Sequence, residues 1–336
     1  MTSLPSFLSV VEVLRQDESN GAPKVSVVIT AYNAAPFISE ALDSVLQQTF
    51  TDFEIIVVND GSPDTFKLEE VLASYSNRIV YVKQPNKGTG AARNTGIRQA
   101  RGEFIALLDG DDLWEPEYLQ VQLGIIEQNS NIAVVYSNAL HFGEGHSVGR
   151  TFMDVCPSEG EVTFESLLVE QCNVMVSVTA RRAAIVAAGM FDEDKAMMGA
   201  DDFDLWLRIA KQGSQIVYHR RPLVRRRFWK GQLSSQLVLF HASIIRVLDK
   251  VEKMPLTADQ NKLLKQRQLH YRAMLSLFEG KEALFQGDTK KAFHYLTDAN
   301  VFLKSWKVSC AILLLRVAPW LFYTTRIRNL LASRNT

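Results

Sequence analysis

Four short runs of β-branched and aliphatic residues, the first three each followed by a stretch with helical spacing, constrain this chain more than anything else in it. They lie at residues 25–31 (VSVVITA), 54–60 (EIIVVND), 79–82 and 104–108. The first is followed by a stripe of Phe37, Ile38, Ala41, Leu42, Val45 and Leu46; helical stretches at 68–75 and 91–100 follow the second and third. Strands without polar alternation are buried on both faces, and strands alternating with helices of this length predict an α/β fold with a parallel sheet in this half. After Asp112 the alternation loosens. Pro116 suits the first turn of a helix reaching about Gln128. Residues 132–137 and 174–179 read as strands, 182–188 and 202–212 as helices, and 215–228 as one or two strands. From Leu233 the pattern is helical almost throughout, and 271–300, centred on Gly287-Asp288, reads as one helical hairpin of the tetratricopeptide type. The expected organisation is an extension at 1–22 ending in a turn signal, a core at 23–230 with halves 23–115 and 116–230, and a helical appendage at 231–336.

In an open α/β sheet a ligand sits outside the carboxyl ends of the strands. Here those ends read Thr30-Ala31-Tyr32-Asn33, Asn59-Asp60-Gly61-Ser62-Pro63-Asp64 and Asp109-Gly110-Asp111-Asp112. Turn chemistry alone accounts for any one of them, but three at successive strand ends point to a site. Asp109 and Asp111, two apart, face one side in extended chain. Carboxylates crowded there call for a hard divalent cation, and all-oxygen donors favour Mg²⁺ or Mn²⁺ over zinc. Asp60, ending an apolar strand, can accept the imide N–H of a uracil or thymine, a bond worth about 1.5–3 kcal/mol. The run Asn86-Lys87-Gly88-Thr89-Gly90-Ala91-Ala92-Arg93 fails as a dinucleotide fingerprint, because Arg93 stands in the third glycine's place and the run does not follow the first strand. Arg93 and the backbone amides of a helix start suit a nucleotide or its phosphates instead. In 201–212, Asp202 shares a helical face with Leu205, Trp206 and Ile209 and is expected to point inward, as an N-cap or as a general base. Asp204 and Arg208 are expected to form an exposed i, i+4 pair.

Composition excludes several classes. Lys plus Arg and Asp plus Glu both number 37, so no net charge recruits nucleic acid. Cys156, Cys172 and Cys310 lie far apart in no metal-ligand spacing, which fits a reducing compartment. The first residues lack a basic leader, and the apolar stretch 308–323 is broken by Arg316 and Pro319. A cytoplasmic protein is expected, peripheral at the cytoplasmic membrane face. That last expectation comes from the tail, where Lys304, Lys307, Arg316, Arg326, Arg328 and Arg334 occur with Trp306, Trp320, Phe322 and Tyr323 and without one acid. The competing expectation has Ile312, Leu315, Pro319 and Phe322 packing on the helical hairpin.

In order, VSVVITAYN, VVNDGSPD, NKGTGAARNTG, LLDGDD, GMFDE and DDFDLWLR resemble the family 2 glycosyltransferases of GT-A fold, over residues 24 to about 235. The resemblance implies a mixed sheet whose parallel N-terminal half binds a nucleotide-sugar. It implies an inverting hexosyl transfer from a nucleoside diphosphate sugar, UDP or dTDP type favoured, to a saccharide or lipid-linked acceptor of a cell envelope polysaccharide. Tyr32, Asn33, Asp60 and Arg93 would lie in the nucleoside and phosphate site, and Asp109 would contact the ribose or support the metal. Asp111 would bind Mg²⁺ or Mn²⁺, and Asp202 would be the catalytic base. The family usually has Glu-Asp where Asp201-Asp202 stands. A sharper departure is Arg227-Phe228-Trp229, where many relatives carry Arg-x-His. Arg225, Arg226 and Arg227 either hold the diphosphate or form a solvated edge strand. Two rival readings stay open: a sugar-phosphate nucleotidyltransferase, which should carry a glycine-rich loop with Arg and Lys where TAYNAAPF stands, and a non-catalytic nucleotide-sugar-binding protein on the same fold, which Trp229 keeps in play.

Overall fold

A computed structural model describes residues 12–14, 21–230, 232 and 236–323, with 12–14, 321 and 323 described by backbone alone. The chain divides into two compact units, Met1–Trp229 and Lys230–Thr336.

The first unit is built on nine strands: β1 Glu12–Leu14, β2 Val25–Ala31, β3 Phe53–Asp60, β4 Val80–Gln84, β5 Phe104–Asp109, β6 Leu113–Trp114, β7 Ile132–Gly143, β8 Val178–Arg181 and β9 Gln215–Phe228. They form one sheet in the order β1-β4-β3-β2-β5-β8-β7-β9-β6. The pairs β4–β3, β3–β2 and β2–β5 are parallel, while β5–β8, β8–β7 and β9–β6 are antiparallel. This is the mixed sheet of the GT-A type, parallel in its N-terminal half. Helices α1 Ile38–Leu46, α2 Thr65–Leu72 and α3 Thr89–Gln99 serve as crossovers. Val27, Ile29, Ile56, Val57, Ile105 and Ala106 are fully buried, as strands covered on both faces must be. Strand order reverses direction at β2, with β3 and β4 to one side and β5 to the other, which makes the carboxyl ends of β2, β3 and β5 the topological switch point.

Several boundaries differ from expectation. Most of residues 1–22 lie outside the described residues, but Glu12–Leu14 pairs antiparallel with β4 at the sheet edge. Strand β8 starts at Val178, so 174–177 are not strand, and β7 runs on to Gly143. Helix α4 Tyr118–Ile126 begins beyond Pro116, with Glu117 at its N-cap. The short helices α5 Phe152–Val155, α6 Phe164–Leu168 and α7 Arg182–Ala187 precede α8 Asp201–Lys211. Strand β9 lies between β7 and β6, which pairs with Val224 and Arg225, and the Arg227 N–H beyond that pairing donates to Asp112, so 225–227 is not a free edge strand.

The second unit holds α9 Leu237–Val251, α10 Ala258–Gln286, α11 Thr289–Leu303 and α12 Trp306–Val317, then a 3₁₀ segment Pro319–Tyr323. Thr257 caps α10 in a reciprocal box with Gln260, and left-handed Gly287 ends it. Asp288 then caps α11. The hairpin is there, although its first helix, at 29 residues, outgrows a repeat of about 34 residues that holds two. Leu315 and Phe322 join Ala283, Leu284, Ala292 and Leu296 in one apolar cluster, with Ile312 packed against it. Arg326, Arg328 and Arg334 lie outside the described residues. Among the described residues no helix is long and apolar enough to cross a membrane.

Candidate active site

Sheet register brings the polar strand ends together: Ala31 pairs with Asn59, Thr30 with Asp109, and Asp60 with Gln84. The loops after β2 and β3 are tied into one piece. Asn33, held at φ 52°, donates its backbone N–H to Ser62 Oγ at 2.7 Å, and Ala35 N donates to Asp64 Oδ2 at 2.9 Å. Tyr32 stands at the rim, 49% exposed. Asp60 is buried, and its Oδ1 accepts from Gln84 Nε2 at 2.7 Å and Lys87 N at 2.8 Å, while Oδ2 accepts from Gly88 N at 2.8 Å. Burial pushes the Asp60 carboxyl up, and these bonds and Lys195 pull it back. A carboxylate has about four acceptor positions, so this one keeps capacity for another donor.

Two glycines of the NKGTGAARNTG run serve close packing. A Cβ at Gly96 would collide with Val28 of β2, and one at Gly90 would collide with the Asp192 carbonyl. Asn94 fixes the facing loop: its side chain donates to Phe191 O at 2.8 Å and Glu193 Oε1 at 2.9 Å and accepts from Phe191 N at 2.9 Å. Arg93, one turn from the start of α3, is 5% exposed. Its Nη1 lies 2.5 Å from Asp201 Oδ2 and its Nη2 lies 3.1 Å from Asp109 Oδ1. Burial pulls the guanidinium pKa down, but Asp201 and Asp109 outweigh it and hold it above the ordinary value.

At the start of α8 the more deeply buried acid is Asp201 rather than Asp202. Asp201 is 2% exposed and also accepts from Thr89 Oγ1 at 3.0 Å. Asp202, half-buried beside it, accepts from Phe203 N at 2.8 Å. The N-cap is Ala200, so neither aspartate caps the helix. Burial and then the neighbouring Asp201 push the Asp202 carboxyl up to about 7, against the pull of Arg93. Nor are Asp204 and Arg208 an exposed pair: Asp204 is 1% exposed, its Oδ2 lies 2.6 Å from Arg208 Nη2, and that guanidinium also caps the Ala188 and Met190 carbonyls at the end of α7. Helix α8 packs against α3, α6, α7 and β9, so acids on several of its faces are enclosed.

After β5, Asp109 accepts from Thr30 Oγ1 at 3.1 Å besides Arg93. Asp112 is buried and accepts from Arg227 N at 2.8 Å; burial, Asp111 and Asp109 hold its carboxyl well above the usual range. Asp111 is pushed up by burial and by Asp109, and its Oδ2 accepts from Trp229 Nε1 at 2.7 Å. Arg227 Nε donates to the Asp111 carbonyl at 2.9 Å and Nη2 to Glu40 at 3.0 Å. Arg225 is exposed and stacks over Phe142 at 4.8 Å. Mutual repulsion of Asp109 and Asp111 is what a cation would relieve, and their oxygens suit Mg²⁺ or Mn²⁺. Among the described residues no three His, Cys, Asp or Glu are arranged to hold a metal. An ion at this turn would take one or two carboxylates from the protein and its other positions from phosphate oxygens and water, as Mg²⁺ commonly does.

Two groups carry little local signal in the sequence. Asp201, the buried partner of Arg93, stands out there only as the neighbour of Asp202. Lys195 lies in the cleft at the N-terminus of α3 with Lys87, Thr89, Asp194, Met198 and Asp201. Its only signal was its place just after the GMFDE motif.

Residues 26–172 match the model of the family described as glycosyl transferase family 2. An uncharacterized glycosyltransferase of Rickettsia typhi is 31% identical over 222 residues, which are 64% of this chain and 67% of that protein. The chain spans only about a third of the length of other curated relatives it matches, at 33%, 36% and 35%. Among solved structures, residues 1–349 of Staphylococcus aureus TarS in complex with UDP-GlcNAc align with a TM-score of 0.60 at 19% identity, covering 89% of each chain. A mannosyltransferase from Pyrobaculum calidifontis, solved with GDP-Man and Mn²⁺, aligns at 0.59 and 18% identity, covering 93% of this chain and 84% of that one. At such identities the likeness is one of fold.

Proposed function

The chain belongs to glycosyl transferase family 2, and on that premise we propose that it moves a sugar from a nucleoside diphosphate donor to an acceptor hydroxyl in one inverting displacement. One observation carries this reading: the buried guanidinium of Arg93 bridges Asp109, at the end of β5, to Asp201, beside Asp202. Donor side and candidate base are thereby held at one edge of the sheet. Asp202, with its carboxyl near 7, takes the acceptor proton. The acceptor oxygen bonds to the anomeric carbon as the bond to the diphosphate breaks, so configuration inverts and no covalent intermediate forms. Asp111, supported by Asp109, would hold Mg²⁺ or Mn²⁺, which supplies Lewis-acid neutralisation of the leaving diphosphate. Arg227, engaged with Asp111 and Glu40, steadies that turn, and Arg225 is the freer cation for the diphosphate.

The nucleotide-sugars bound by TarS and the mannosyltransferase support the donor class. They differ in base, so the preference for UDP or dTDP rests on Asp60, whose remaining acceptor capacity matches an imide N–H, with Tyr32 and Asn33 on the adjoining loop. The test is nucleoside diphosphate release from UDP-, dTDP- and GDP-sugars with Mn²⁺ and with EDTA. Release from a uridine or thymidine donor, abolished by EDTA, is expected. Binding without release would identify a non-catalytic nucleotide-sugar-binding protein, and pyrophosphate formation a nucleotidyltransferase.

In the second unit, α12 and the segment after it expose Trp306 at 72%, Leu313 at 59%, Val317 at 58% and Trp320 at 62%, alongside Lys304, Lys307 and Arg316. Aromatic and aliphatic groups among cations suit an anionic lipid surface, where each cation adds about 1 kcal/mol. We place a lipid-linked saccharide acceptor there, at the cytoplasmic face. Sedimentation with phosphatidylserine vesicles should carry down the full chain at low salt, and Trp306→Ser/Trp320→Ser should cut the bound fraction several-fold. Equal partitioning would leave α12 as packing alone.

A further inference from the structure

The turn that offers Asp111 is gripped from one direction, by the end of β9 and the residue that follows it. Arg227 donates its backbone N–H to Asp112 Oδ1 and its Nε to the Asp111 carbonyl, and Trp229 Nε1 donates to Asp111 Oδ2 at 2.7 Å. The indole is itself located by a tilted aromatic contact: the Phe37 ring, just ahead of α1, lies 5.3 Å from it at an interplanar angle of 48°, and the Arg227 guanidinium sits 4.8 Å over that same Phe37 ring. A ring held by its neighbours just past the end of a 14-residue strand thus aims one N–H at one carboxylate oxygen.

An indole nitrogen is a donor only; it neither ligates a metal nor changes charge with pH. It can fix a carboxylate without competing for the ion. We propose that Trp229 is a positioning residue for Asp111, holding Oδ2 so that the other carboxylate oxygen is the one left to a divalent cation. This rests on the reading of Asp111 as metal ligand. Partners that orient a ligating carboxylate typically contribute about 10–100-fold to metal affinity. With Trp229 in this role the protein supplies few direct ligands, so the cation is expected to bind weakly alone and tightly with a nucleoside diphosphate, whose oxygens complete its shell.

The experiment is calorimetric titration of Mn²⁺, alone and with saturating UDP, into the full chain and into Trp229→Phe and Asp111→Ala. Phe keeps a ring against Phe37 and removes the N–H. Trp229→Phe should weaken Mn²⁺ binding in the presence of UDP by about 10–100-fold with thermal melting unchanged, and Asp111→Ala should abolish it. Wild-type affinity in Trp229→Phe, with binding lost in Asp111→Ala, would overturn the role of Trp229 and leave the metal reading standing. Unchanged binding in Asp111→Ala would overturn the metal reading itself. Should Trp229→Phe not fold, the wild-type chain gives the answer by NMR. The indole ¹⁵N–¹H signal that moves in Asp111→Asn should stay at its hydrogen-bonded position when Mg²⁺ and UDP are added; a move to the free-indole position would overturn the proposal.

Discussion

Asp111-Asp112 after β5 and Asp201-Asp202 at the start of α8 are the same dipeptide in opposite surroundings. At α8 a buried guanidinium lies against Asp201, and Asp202, with a backbone N–H, has its carboxyl pushed up to about 7. After β5 the side chains of Asp111 and Asp112 accept from neutral donors, an indole N–H and a backbone N–H; burial and Asp109 push the Asp111 carboxyl up, burial, Asp111 and Asp109 push Asp112 up, and the nearby Arg226 pulls both back. At α8 burial and the charge of Asp201, itself held by Arg93, bring Asp202 into the range where it gains and loses a proton near neutrality. After β5 the crowded acids raise one another's proton affinity, a repulsion that an added cation would relieve. Arg93 touches Asp109 as well as Asp201, so the two regions share one guanidinium.

The strongest way to break this comparison is Asp202→Asn, which removes the proton acceptor and keeps the shape. Turnover should fall by roughly 10² to 10⁴, read as nucleoside diphosphate release, while donor affinity in calorimetry stays near wild type. Near-normal turnover would mean that the two aspartate pairs do not divide the labour as described. A smaller effect sharpens the same contrast through stability. The folded Asp202 pKa, near 7, lies above the unfolded value of about 3.9. The folded state therefore holds this proton more tightly, and the stability so gained is present below about pH 4 and lost as pH rises through 7. Asp202→Asn, neutral at every pH, should melt a few degrees above wild type at pH 8, with the gap closing at pH 5. An equal gap at both pH values would contradict the raised pKa.

Much of the first unit was legible because its strands are covered on both faces. Val25 to Ala31 and Ile55 to Val58 could be read as β-branched runs with no alternation to resolve, and the polar residues ending them marked the binding edge. Helix α8 was misread for the converse reason. The i+3, i+4 rule assigns one inward face, and Asp202 shares it with Leu205 and Trp206. Once α3, α6, α7 and β9 enclose the helix, Asp201 and Asp204 are buried too, each against a guanidinium that no local spacing announces. Trp229 and Asp111 are 118 residues apart. The sequence marked the tryptophan only as a departure from a family pattern, and its hydrogen bond follows from the path of β9 between β7 and β6, which 215–228 alone does not encode.

The central claim, that α8 carries a base tuned by its neighbours, is tested most directly by the pH dependence of kcat for sugar transfer with Mn²⁺ and donor saturating. The rate should rise through an acid limb near pH 7, because only deprotonated Asp202 can take the acceptor proton. Asp201→Asn, which removes the neighbouring charge and leaves Arg93 unshared on that side, should move the limb to lower pH. A rate flat from pH 5 to 9, or a limb unmoved in Asp201→Asn, would contradict that claim.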